Sequence, residues 1–201
     1  MNTTEIPNLP GTPFEGGVYV GRVRHGDDAF ALIVSPKAEG EHDDIEWGKY
    51  GEVIEGANSF FDGLANTEAM AEAGSEIAQW ARQLRIAGFD DWYLPSRDEL
   101  ELCYRYLKPT TDENYVWRSG ENPSALPFAT HPYTATAPTQ SAAEVFRSGG
   151  TEAFEDASYW SSTQYSAHGA WTQSFDDGSQ SSLGKGYALR ARAVRRFKIS
   201  N

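Results

Sequence analysis

Asp90-Asp91-Trp92-Tyr93-Leu94-Pro95-Ser96-Arg97-Asp98-Glu99-Leu100 is the stretch on which the fold turns. Ser96 offers a hydroxyl N-cap, and Glu99, three residues on, completes a capping box in which each side chain bonds the other residue's backbone N–H. Leu100, Cys103, Tyr104 and Leu107 then form an apolar stripe at helical spacing, and Pro109 stops the helix. Cys103 on that stripe reads as a small buried hydrophobe. A catalytic thiol would need exposure and a His partner, and neither is indicated. Upstream, Ile77, Trp80, Ala81 and Leu84 share one face and predict a helix over Ser75–Ala87, with Gly88 as its C′ residue. Further upstream, Val18, Val20 and Val23 alternate with polar neighbours, and Phe30–Val34 is a continuous apolar run ended by Ser35-Pro36. Together these predict a hairpin with Gly26-Asp27 near its turn.

Downstream, Thr110–Ala153 is irregular and rich in proline, with interspersed aromatics, and reads as a long structured loop region. Tyr159–Ser162 and Ala170–Phe175 read as strands, and Asp176-Asp177-Gly178 is a hairpin-turn signal. Leu189–Phe197 closes the chain by alternating small or apolar residues with arginines. Two helices, short antiparallel strands and long loops make an α+β domain over residues 16–201. Residues 1–15, with Pro7, Pro10 and Pro13, read as an N-terminal arm, either frayed or an attachment strap to a neighbouring chain.

Composition narrows the function classes. The 201 residues carry a net charge of −12, so binding to a nucleic acid is disfavoured on average. The charge is uneven: Glu39–Glu55 holds seven acids against Lys49, whereas Lys185–Lys198 holds six bases and no acid, so contact between the two is an option. Cys103 is the one cysteine, which leaves no intrachain disulfide. Met1–Phe14 lacks the basic start and apolar run of a signal peptide, and no stretch approaches the roughly 20 apolar residues that span a bilayer. Synthesis in a host cytoplasm without a signal peptide, and no membrane insertion, are therefore expected. His25, His42, His131 and His168 are scattered without ligand spacing, so no zinc site is expected. Asp43-Asp44 and Asp176-Asp177 offer oxygen ligands, but adjacent acids seldom face one ion, and no metal or other cofactor is assigned.

The Asp90–Leu100 stretch resembles the "DW-x-LP-[ST]-x-x-EL" signature of the DUF1566 family, also called the Lcl C-terminal domain family. Tyr159-Trp160-Ser161-Ser162, Ala170-Trp171, Phe175, Gly178, Lys185 and Arg192-Ala193-Val194-Arg195-Arg196 resemble its C-terminal half, and the pieces occur in order over about Gly16–Phe197. The resemblance implies a C-type-lectin-like fold, similar to the variable proteins of diversity-generating retroelements. Asp62–Thr67, after Gly17, Tyr19 and Gly21, resembles a phage-encoded branch. In that setting the implied function is a virion-associated receptor-binding module, an adhesin at a tail fibre or tail tip, whose loops recognise a bacterial surface ligand such as a glycan. Its partners would be a cell-surface receptor, glycan or protein, and the tail proteins of the virion. Fibre-borne modules are commonly trimeric, which makes a homotrimer a candidate assembly. The alternatives are a structural tail-fibre cap or connector and, third, a glycan-modifying enzyme. Formylglycine-generating enzymes share such a fold but need active-site cysteines, so no enzyme is expected and no catalytic residue is assigned.

Gln164–Tyr187 combines tyrosines with short polar side chains, the composition of adaptable recognition surfaces. Trp160, Trp171 and Phe175 match fixed positions of the family motif and are expected as scaffold. The interleaved Tyr165, His168, Gln173, Asp176, Gln180, Ser182 and Tyr187 are the expected ligand-binding residues. Arg192 and Arg195 are expected to be structural, with Asp91 and Glu99 as partners. From this division, Trp160→Ala should cost about 3–5 kcal/mol in chemical denaturation, while the double change Tyr165→Ala, Tyr187→Ala should leave the unfolding transition in place.

Overall fold

A computed structural model describes residues 5–128 and 132–199. His131 lies outside them, as do residues 1–4 of the arm. In chain order the elements are β1 (Pro13–Phe14), β2 (Gly17–His25), β3 (Asp28–Val34), α1 (Lys37–Gly40), β4 (Glu41–Glu46), α2 (Gly63–Glu72), α3 (Glu76–Gln83), α4 (Arg97–Leu107), β5 (Ala125–Leu126), β6 (Ser158–Gln164), β7 (Gly169–Ser174), β8 (Gln180–Gly184), β9 (Ala188–Arg192) and β10 (Val194–Lys198), with a 3₁₀ turn at Glu144–Phe146. The architecture is α+β. One sheet runs β1-β2-β3-β10 with β5 alongside β2, and the other runs β4-β9-β6-β7-β8. All pairings are antiparallel except a single β6–β9 contact, Tyr159 against Arg190.

The decisive helix forms as its sequence requires. In α4 the Ser96 side chain accepts from Glu99 N, and Glu99 Oε2 accepts from Ser96 N at 2.8 Å, a complete capping box. Its stripe packs between the two sheets, with Leu100, Cys103, Tyr104 and Leu107 buried against Val20, Leu32, Tyr159, Phe175 and Val194. A second core lies on the other side of the β6–β9 sheet, where Trp47, Met70, Ile77, Ala81 and Trp160 meet. The β2–β3 hairpin turns at Gly26-Asp27, and Gly26 takes the left-handed φ of 60° that glycine tolerates.

Three local expectations are corrected. Among the described residues there are four α-helices rather than two; α1 is a single turn, and α2 carries three alanines and little amphipathic contrast. The predicted Ser75–Ala87 helix stops at Gln83. Ala87 and Gly88, at φ 51° and 85°, are instead the centre of a tight turn bridged between Ile86 and Phe89. Leu189–Phe197 is two strands, not one: at Ala193 the chain leaves one sheet and joins the other, and Ala193 bonds both Ser35 and Gly40 through its backbone.

That crossing strand joins the acidic and basic segments. Arg190 Nη1 bonds Glu41 Oε1 at 3.0 Å and Asp43 Oδ1 at 2.5 Å. Arg192 is fully buried, donating to Ser35 O, Glu152 O and Glu152 Oε2 and lying over the Phe154 ring at 4.8 Å. Arg195 forks onto both oxygens of Asp91, at 2.6 and 2.9 Å. Asp91 is thus the expected partner, but Glu99 is not: it serves Tyr93, Ser96 and Gly63 instead. Glu152 holds Arg192 in its place, through its carbonyl and its carboxylate. Truncation of Arg192 to Ala should therefore cost about 3–5 kcal/mol by leaving buried acceptors and a carboxylate unpaired. Lys198→Ala, whose pair with Asp28 is more than half exposed on both sides, should change urea stability by no more than about 0.5 kcal/mol.

Candidate functional site

Strands β6, β7 and β8 form two successive hairpins, and their turns lie at opposite ends. The β6–β7 turn, Tyr165–His168, is fixed by Ser166 Oγ, which accepts from His168 N and Gly169 N, and by Tyr165 N and Ser166 N donating to Gly169 O. The β7–β8 turn holds Asp176-Asp177-Gly178, with Gly178 at φ 78° pressed against the Tyr104 ring. Between the strands Trp171 pairs with Ser182, and Gln173 with Gln180.

This geometry divides the seven expected ligand residues. Tyr165, His168, Ser182 and Tyr187 are exposed and belong to the Tyr165–His168 end and its flank. Asp176 and Gln180 belong to the other end. There Asp176 is exposed, and partial burial together with Asp156 and Asp177 holds its carboxyl above the usual range. Gln173 is not a surface residue: it is buried, and its Nε2 donates to Gly178 O at 2.7 Å. It shares a strand face with Trp171 and Phe175, as the period of two requires, but that face runs progressively under Tyr104 and the α4 side of the core. Gln180, half-buried beside it, follows the same gradient.

Trp171 stands at the emerging end of that face and is half-exposed, where full burial as scaffold was expected. Phe60 and Tyr165 stand near-perpendicular to its indole, with ring centroids at 5.8 and 5.4 Å. The Arg97 guanidinium lies over Phe60 at 4.2 Å and over Trp171 at 5.3 Å. Arg97 is itself held by Asp98 Oδ1, which accepts from its Nε and Nη2 at 3.1 and 3.0 Å. A second group stands beside the same turn: Tyr50 and His168 rings at 4.7 Å, and Tyr187 packed on Gly184. Phe60, Tyr165 and Tyr187 are 40, 60 and 62 % exposed, so the whole is an open aromatic face and not a core that happens to reach the surface. Phe60, Tyr50 and Arg97 were missed in the sequence, because nothing in the spacing of residues 50, 60 and 97 relates them to Trp171. For Tyr50 and Phe60 the one signal was the density of aromatics in the Trp47–Phe61 loop.

With the site in view, the chain can be placed among known proteins. The model of the Lcl C-terminal domain matches residues 41–195. The chain belongs to the Lcl C-terminal domain family. The matched span begins at β4, so it takes in α2–α4 and the β6–β9 sheet and leaves out the β2–β3 hairpin, which the sequence resemblance had included. Among curated proteins, none matches the chain. The Trp47–Phe61 loop and the three hairpin strands that build the aromatic face all lie inside the Lcl C-terminal domain.

Within that domain, Lys185 anchors the loop that carries Tyr50. Its buried ammonium donates to Glu52 O at 2.5 Å and Gln164 Oε1 at 2.6 Å and lies over the Trp47 ring at 4.6 Å. Gln164 in turn accepts from Ile54 N at 2.9 Å, so strand β6, β8–β9 and the loop meet at one cation. Among the described residues no group of three or more His, Cys, Asp or Glu is placed to hold a metal ion.

Burial lowers the Lys185 ammonium from its usual 10.5 to about 8. Between about pH 8 and 10.5 the unfolded chain holds a proton that the folded chain has released, so this group's contribution to stability rises with pH across that window. Below about pH 8 its burial penalty is fully present. Urea unfolding of the wild type and of Lys185→Met should therefore diverge in pH dependence above about pH 8, with the wild type gaining relative to the variant. Parallel profiles would show that Lys185 does not titrate in this window.

Proposed function

We propose that this Lcl C-terminal domain is a recognition module of a phage virion, carried at a tail fibre or tail tip, that attaches to a ligand on the bacterial surface. The single observation that carries the reading is the open aromatic face of Phe60, Tyr165, Trp171, Tyr50, His168 and Tyr187, mounted on a rigid hairpin sheet. Exposed contiguous aromatic surface on a folded domain marks a binding site far more often than it is left unused. Rigid amphipathic rings supply contact area at low entropic cost. The scaffold is read as C-type-lectin-like, with loops from separate parts of the chain gathered on one side of a small sheet. The phage setting rests on the resemblance of Asp62–Thr67 and the chain start to that branch of the family. Assembly as a homotrimer on the fibre, with tail proteins as neighbours, belongs to the same proposal, as does a non-enzymatic role.

One observation favours a second reading, a structural cap or connector. Tyr115, Val116 and Trp117 are 43, 53 and 62 % exposed in a loop tied to the opposite hairpin turn, where Tyr115 N donates to Asp177 O. A patch of that kind suits packing against a neighbouring virion protein.

The two readings separate in an adsorption assay. Purified protein should bind the host cells and compete with infection, and Tyr165→Ala, Tyr187→Ala should fold normally yet lose both. Protein that neither binds cells nor competes would favour the cap or connector.

A further inference from the structure

We infer that the ligand of the Phe60–Trp171–Tyr165 strip is a neutral carbohydrate, held by stacking on its apolar ring face and by hydroxyl hydrogen bonds, and not by charge. The inference rests on the reading of this face as a recognition surface.

The chemistry of the strip is narrow. Trp171 Nε1 is buried and finds no partner among the described residues, so what the half-exposed indole shows to solvent is ring carbon. Its two perpendicular neighbours, Phe60 and Tyr165, put ring face and ring edge side by side. An aromatic face carries negative potential, and the C–H groups on one face of a pyranose are polarised the opposite way, so the two attract across an apolar contact. The polar groups beside the strip are hydroxyls. Ser182 lies directly across the strand pair from Trp171 and is exposed, and Tyr165 brings its own phenol. Ser166 Oγ already accepts two backbone N–H groups, which leaves its hydroxyl proton to donate.

Charge points the same way. Arg97, the cation that touches the strip, lies over the two rings and is paired with the buried Asp98. Beyond Tyr50, a groove of about 610 Å³ runs past Asp44, Glu46, Glu52 and Glu76 against Lys49, which is paired with Glu52 at 3.6 Å, and His42, in a chain of net charge −12. A sulfated or uronic glycan would meet an excess of carboxylates here and find Arg97 and Lys49 already paired.

The test is titration of the purified full chain with neutral hexose oligosaccharides, sulfated heparin fragments and amine-bearing chitosan oligomers, followed by tryptophan fluorescence and calorimetry. A neutral oligosaccharide should bind, with affinity changing less than about twofold when salt is raised to about 0.5 M. Tyr165→Ala and Phe60→Ala should each weaken it about tenfold while circular dichroism is unchanged. Binding confined to sulfated or to amine-bearing oligomers would overturn the inference, as would no binding to any of the three, or neutral binding unmoved by both variants. A second arm separates this inference from the reading beneath it. Adsorption to bacterial cells that is lost after periodate supports a carbohydrate. Adsorption that survives periodate but not protease overturns the carbohydrate and leaves the recognition module standing. Absence of adsorption counts against the module, while the oligosaccharide titration still decides the ligand class.

Discussion

The N-terminal end of α4 holds three buried carboxylates, and separate parts of the domain are tied to them. Asp98, Glu99 and Glu101 lie within four residues, and each is fastened to a different part of the chain. Glu99 takes the Tyr93 hydroxyl at 2.7 Å together with the backbone of Ser96 and Gly63. Glu101 takes Asn122 Nδ2 and the Tyr133 hydroxyl, both at 2.6 Å, and pairs with Arg105. Asp98 takes the Ser124 hydroxyl at 2.7 Å, and its backbone N–H bonds Phe60 O. Burial raises the proton affinity of all three, and the donors around them pull it back down. A helix N-terminus is a favourable place for this, because its unpaired N–H groups and dipole stabilise negative charge. The start of this helix thereby fixes the 60–63 segment, the 93–96 segment and the residues Asn122, Ser124 and Tyr133. Because Arg97 lies in the same turn, it also fixes the floor of the aromatic face.

That arrangement explains what was legible in the sequence. The capping box, the α4 stripe and the β2–β3 hairpin depend on residues close together in the chain, and their patterns could be read directly. The family resemblance was carried by the same turn and by the crossing strand, where many contacts are concentrated on few residues. Helix α2 escaped because its sequence, GLANTEAMAE, has no strong apolar stripe. It is held by Asn66 and Thr67, whose side chains bond Ser59, Gly63 and Leu94, so tertiary hydrogen bonds stabilise it more than amphipathic pattern does. The break at Ala193 escaped for a related reason: a strand that changes sheets keeps its alternation, and no residue type marks the exchange of partners.

The site was legible as composition but not as geometry. Polar and aromatic residues between Gln164 and Tyr187 do reach the surface at Tyr165, His168, Ser182 and Tyr187. Sequence alternation says which residues share a face, not where along a strand that face passes from solvent into core. Gln173 and Trp171 share a face, yet one is buried beneath α4 and the other emerges. The fixed position in the motif proved to be half-buried and to reach the edge of the open face, so a constrained residue also borders the presented surface here. Phe60 and Arg97 reach Trp171 across separations of 111 and 74 residues, contacts that no local pattern encodes.

A scaffold built this way has a consequence for recognition. The rings of the strip are not free loop residues: Arg97 is anchored through Asp98 to α4, Phe60 through its carbonyl to the same residue, and Trp171 is in the middle of a paired strand. Little side-chain or backbone freedom is left to lose when a ligand arrives, so the entropic cost of binding falls on the ligand. Around this strip stand Tyr187, Ser182 and Tyr50, all exposed and none of them in a core cluster. Changes there would alter what is bound without altering the three carboxylates, the buried Arg192 or the crossing strand. The separation between a tightly determined hub and a lightly determined rim lets one fold present different surfaces at constant stability.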